Sequence, residues 1–173
     1  MTGFYVNTGS VFDGTATYHG FVRAPDGTIT EFDVPGAGTG PNQGTDGISI
    51  NPSGTSVGQY VDAGNVVHSY VRAADGTITE YDVPGAGTGS GQGSGGAGIN
   101  PSGTTVGTYL DAVNVFHGFL RTKQGAVTTF DVPGAGNGAG QGTRPCCNNA
   151  VDTITGYYID ANGVDHGFLR TAH

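Results

Sequence analysis

Four histidines, His19, His68, His117 and His166, are spaced 49 residues apart along this chain. The last three share a setting: Asp62, His68 and Arg72; Asp111, His117 and Arg121; Asp160, His166 and Arg170. Tyr60, Tyr109 and Tyr158 sit two positions before the aspartates. Imidazoles gathered around an axis can ligate a metal ion. An Asp–His–Arg face beside a tyrosine ring can instead hydrogen-bond and stack a sugar, with one shallow site per repeat. A third reading is structural, because buried polar groups need partners and a residue present in every repeat suits a framework bond. A catalytic centre needs one special place. No Ser-His-Asp order, HExxH helix or isolated carboxylate pair stands apart from the repeat, so an enzyme is not expected.

The elements that position these residues follow from the same 49-residue step. HGFVRAPDGTITEFDVPGAGTG at residues 19–40 returns from His68 and again from His117, and HGFLR returns from His166. Such regularity points to a repeat architecture. Over residues 46–87 four short alternating runs are separated by turn residues: DGISINPSG, TSVGQYVDA, VVHSYVRA and GTITEYDVP. Pro-Ser-Gly, Asp-Ala-Gly-Asn and Ala-Asp-Gly supply the tight turns. Within the third run His, an aromatic residue and Arg stand at i, i+2 and i+4, hence on one face. No segment keeps a helical apolar period, which excludes a βαβ plan.

The expectation is an all-β, β-propeller-like array of 49-residue four-stranded repeats. A parallel β-helix ranks second. The whole chain, 1–173, reads as one repeat domain: a partial repeat over 1–38, repeats over 39–87 and 88–136, and a partial repeat over 137–173. MTGFYVN resembles ITGYYID at 154–160, which makes it a second strand followed by a longer hairpin through residues 8–17. The strands then number three, four, four and three, with incomplete blades at both ends whose edges invite pairing with another chain.

Composition agrees with this class. Glycine contributes 34 of 173 residues, hydrophobic content is 35%, and tyrosine and phenylalanine number eight each. Glycine at DGT, PGAG and PSGT marks turns rather than collagen. The formal charge of −8, with Lys123 the sole lysine, excludes a phosphate-neutralising nucleic-acid surface. No apolar run approaches the roughly 18 residues of a membrane helix, and the opening residues do not read as a signal peptide. Asp26-Gly27 and Asp75-Gly76 read as hairpin turns; calcium is the alternative for such loops, but the EF-hand pattern is absent. No cofactor is expected otherwise. The GAGTG stretches lack the Lys-Ser/Thr and helix of a phosphate loop.

GINPSGTTVGTYLDA, HGFLR and TTFDVPGAG together resemble the HAF family of probable extracellular repeats of bacterial surface and secreted proteins, over nearly the whole chain. The resemblance implies an extracellular or cell-surface, propeller-like β-repeat protein and little chemistry. The chain departs from the pattern near Thr8–Thr17 and at TRPCCNNAVD, 143–152. There Cys146 and Cys147 are adjacent, with α-carbons about 3.8 Å apart, shorter than an ordinary disulfide span. Intermolecular disulfides, a strained vicinal bridge and free thiols all remain open. Pro145 and Asn148-Asn149 mark this stretch as a distinctive loop, the one place where the symmetry breaks and the first place to look for a unique site. The expected function is an extracellular structural or assembly module that forms homo-oligomers through its incomplete ends. The alternative is a lectin-like module binding glycan or another ligand.

Overall fold

The computed structural model describes residues 1–8 and 14–171. The long hairpin expected over residues 8–17 falls mostly on 9–13, outside the described residues. Among the described residues there are fourteen strands and no helix. They form one mixed sheet that does not close on itself. Strands β1 (Thr2–Thr8), β2 (Thr17–Arg23) and β3 (Ile29–Phe32) form the first unit. The second holds β4 (Gln43–Ile50), β5 (Ser56–Val61), β6 (Val67–Arg72) and β7 (Ile78–Tyr81). The third holds β8 (Gly93–Ile99), β9 (Thr105–Leu110), β10 (Phe116–Arg121) and β11 (Val127–Phe130). The fourth holds β12 (Gly142–Asn148), β13 (Ile154–Ile159) and β14 (Asp165–Arg170).

Each unit is an antiparallel meander, and the turn residues account for its hairpins. In Ala24–Thr28 the Ala24 amide donates to the Thr28 carbonyl and the Gly27 amide to the Ala24 carbonyl. The Asp26 carboxylate accepts the Thr28 amide at 2.9 Å, as Asp75 accepts that of Thr77. Both Asp-Gly pairs therefore build turns.

Successive units join where a third strand runs briefly parallel to the next first strand, at Tyr18↔Gly44, Val67↔Gly93 and Phe116↔Gly142. The three glycines share φ near +120°, and a β-carbon on any of them would run into backbone atoms of the paired third strand. Only glycine fits there. The first strand consequently starts earlier than the runs of the sequence suggest, at Gln43 rather than Asp46.

Units pack through repeated apolar contacts. Val34 of the first unit packs with Tyr60 and Tyr70 of the second, and Val83 with Tyr109 and Phe119 one unit later. Tyr70 meets Phe32 edge-on at 5.9 Å, Phe119 meets Tyr81 at 6.2 Å, and Phe168 meets Phe130 at 6.4 Å. Such pairs contribute about 0.5–1.5 kcal/mol beyond burial. A polar ladder keeps the same step. The Asn51 side-chain amide donates to the Asn100 carbonyl at 3.1 Å, and that of Asn100 to the Asn149 carbonyl at 3.0 Å.

The stretch 143–152 is not a distinctive loop. Arg144 to Asn148 belongs to strand β12, in register with β13 from Tyr157 to Ile154. The pairing shifts between Pro145 and Cys147, and the first strands of the second and third units shift at the corresponding place. Proline, which has no N–H, is tolerated beside such a bulge. No disulfide joins Cys146 to Cys147; both thiols are free and exposed.

Candidate functional site

The recurring polar residues come together, but as parts of the frame. Asp62 closes the turn between β5 and β6: its Oδ1 accepts the amides of Gly64 and Val66, both at 2.8 Å. Asp111 does the same for Val113 and Val115, and Asp160 for Asn162 and Val164. The second oxygen faces the histidine, at 3.4 Å for His68 and His117 and 3.2 Å for His166. For Asp62, burial pushes the carboxyl upward, but the amides of Val66 and Gly64 and the His68 ring outweigh it and leave it lowered. Asp111 is lowered by the same balance. The Val164 amide is the main cause that brings Asp160 down to about 2. A lowered carboxyl stabilises the fold above its unfolded value and loses that contribution as the pH falls through the folded one.

The opposite ring nitrogen of His68 meets Asp82 at 2.8 Å, and that of His117 meets Asp131 at 3.0 Å. His19 meets Asp33 at 2.9 Å. The tyrosines lie flat on these imidazoles: Tyr60 on His68 at 4.9 Å, Tyr109 on His117 at 4.8 Å, Tyr158 on His166 at 4.9 Å and Tyr5 on His19 at 5.3 Å. Burial, then the 2.7 Å hydrogen bond donated to Glu80, raises the Tyr60 hydroxyl.

The arginines turn away from this cluster. Arg72 lies over Phe32 at 4.9 Å, Arg121 over Tyr81 at 4.6 Å and Arg170 over Phe130 at 4.7 Å, each on the preceding unit. The expected Asp–His–Arg trio thus divides into a turn-closing Asp–His pair and an arginine that ties neighbouring units by a cation–π contact. Among the described residues no group of three or more His, Cys, Asp or Glu side chains is placed to hold a metal.

A different place lacks the symmetry. The first strands β4, β8 and β12 lie beside one another, and Asp46, Gly95 and Arg144 stand 49 residues apart on them. Their cross-strand partners are Gln59, Thr108 and Tyr157. A groove of about 410 Å³ opens over the glycine-rich strand β8, between Gln59 on one side and Arg144 and Tyr157 on the other. The guanidinium of Arg144 lies 4.2 Å from the ring centre of Phe116 and 5.5 Å from that of Tyr157. Asp46 is half-buried, and burial raises its carboxyl to about 6 against the 3.5 Å hydrogen bond from Gln59.

Reading by repetition misses these residues because repetition selects what the units have in common. The signal that finds them is the contrast of Asp46, Gly95 and Arg144 at a constant step. The fold and these sites define an all-β repeat protein. Comparison with family models, with curated proteins and with solved structures gave no match.

Proposed function

We propose that the chain is a structural and assembly module, a β-propeller-like array whose unit-to-unit interface also takes further units. One observation carries the reading: the same interface forms between all successive units, built from the arginine–aromatic contacts and the edge-on aromatic pairs. The residues that recur are consumed in making that interface and its hairpins. The face of the fourth unit that corresponds to covered faces in the inner units is open. Val57 and Val106 are both fully buried, whereas Thr155, 49 residues on, is exposed. Leu169 stands 72% exposed nearby. A further unit, from the same polypeptide or from a second copy, covers that face.

The resemblance to HAF repeats supports an extracellular or cell-surface setting for such an array. The lectin-like reading has less support, since a stacking platform needs a free ring face. Tyr60 and Tyr109 are 5% and 8% exposed, and each carries an imidazole on its ring.

Light scattering at micromolar concentration, with and without reductant, tests the assembly reading. The expected result is a mass that is a multiple of 17.4 kDa and persists in reductant. A compact monomer under all conditions overturns it.

A further inference from the structure

We propose that the groove over β8 is a binding site for a small organic carboxylate, with Arg144 as the residue that receives the carboxylate. Four observations lead there. The groove measures about 410 Å³, within the usual range of small-ligand sites. Arg144 is the charged residue of its lining, which contains no Asp or Glu. Among the described residues Arg144 makes no ion pair: every salt bridge joins a histidine to an aspartate. Arg144 is a half-buried residue, and its guanidinium is held over Phe116. Stacking uses the face of a guanidinium and leaves the in-plane N–H donors free, in the fork that fits a carboxylate.

The other walls suit the body of such a molecule. The floor is strand β8, where Gly93, Gly95, Gly96 and Ala97 contribute almost no side chain. Leu110, Phe116 and Tyr157 provide apolar surface, and the Gln59 amide and Thr108 hydroxyl offer hydrogen bonds. The corresponding residues of the other units do not repeat this set, because Asp46 in the second unit carries the wrong charge for an anion and Gly95 in the third carries none. The proposal is therefore one site per chain, not one per repeat.

Calorimetric titration of the full chain with benzoate and with glucuronate, against neutral benzamide and glucose and against sulfate, tests it. The expected result is saturable binding of at least one carboxylate at one site per chain, with its neutral counterpart and sulfate much weaker. Benzoate alone binding assigns the apolar-ring class; glucuronate alone assigns the acidic-sugar class. Arg144→Gln is expected to weaken binding roughly ten- to a hundred-fold, the loss of a charge-assisted pair. Ala97→Ile guards against a variant that fails to fold, because Ile48 holds that position in the second unit. It is expected to keep the circular dichroism of the parent and to block binding by filling the floor. No carboxylate bound at millimolar concentration, sulfate bound as well as the carboxylates, or parental affinity in both variants overturns the proposal.

Discussion

The hairpins β5–β6, β9–β10 and β13–β14 and the first strands β4, β8 and β12 obey opposite rules. At the hairpins three units carry the same tyrosine, aspartate and histidine, and those residues make the same bonds to within a few tenths of an ångström. On the first strands one position carries a carboxylate, then no side chain, then a guanidinium. Residues that recur are fixed by the contacts of the frame, since a change in any unit breaks a turn or a unit-to-unit contact. At Gly95 and Arg144 the varied position opens into the groove, where the frame makes few demands. Repetition thus marks structure here, and its failure at a constant step marks the candidate chemistry.

The largest expected break in this comparison is on the frame side, at the glycine that joins two units. Gly93→Ala places a β-carbon against the Val67 carbonyl at a φ of +120°. The expected cost is about 3 kcal/mol or more, from backbone displacement added to conformational strain. Gly91→Ala is the control, since a β-carbon there meets nothing within 4 Å and bears only the strain of a positive φ. It is expected to cost about 1 kcal/mol. Urea unfolding of both variants checks this, and equal midpoints would remove the steric account of the junction.

Next in size is the asparagine ladder. Asn100 is 1% exposed; its amide donates to the Asn149 carbonyl and to Asp152, and its carbonyl accepts the Thr104 amide and the Ser102 hydroxyl. Asn100→Ala leaves several of these groups unpaired, for an expected loss of about 2–3 kcal/mol. Asn149 is exposed and accepts amides from Val151 and Thr153, so Asn149→Ala is expected to cost less. A thermal melt showing the reverse order would mean that the ladder is not what couples the units.

Much of the frame was legible in the sequence, because its causes are local. Asp-Gly and Asp-Ala-Gly-Asn turns, alternating runs and the 49-residue step lead to fourteen strands in an all-β sheet without any long-range information. The missed features depend on contacts between units. TRPCCNN reads as a loop because proline and asparagine, here Pro145 and Asn148-Asn149, are poor strand formers. Register against Tyr157 and Gly156 makes it a strand as far as Asn148 all the same. The trio of Asp, His and Arg reads as one cluster because alternation puts His68 and Arg72 on one face. Which neighbour each side chain reaches is a tertiary matter: Arg72 reaches Phe32, 40 positions earlier in the chain. The groove was legible only as a loss of symmetry at residues 143–152. Its glycine floor on β8 looked like one more glycine-rich segment.

On the varied side, Asp46→Asn is expected to stabilise the protein. The folded carboxyl, raised to about 6, binds its proton in a range where the unfolded one has already released it. Stability therefore falls as the pH rises from about 4 to 6, and the ionised group remains a burden at neutral pH. Removing the charge is expected to recover about 2–3 kcal/mol at pH 7 and little below the unfolded value, on the basis of about 1.4 kcal/mol per pH unit over the roughly two units of the rise. Melting temperatures across that range decide the matter. A parental pH dependence in the variant would mean that another group governs it.

The smallest effect separates two units that share a sequence but not a fourth strand. His117 has Asp111 on one ring nitrogen and Asp131, beside β11, on the other. His166 has Asp160 alone among the described residues, and its side chain is 42% exposed against 21% for His117. His117→Ala is expected to cost about 1–2 kcal/mol, through lost hydrogen bonds and the lost Tyr109 stack. His166→Ala is expected to cost less by about 0.5 kcal/mol, because Asp131 is half exposed and a pair of that kind contributes little. Asp131→Asn sharpens the test: in that background the two histidine substitutions are expected to cost nearly the same. Should the gap persist without the Asp131 charge, it belongs to the packing of the imidazole on its tyrosine and not to the carboxylate beside the fourth strand.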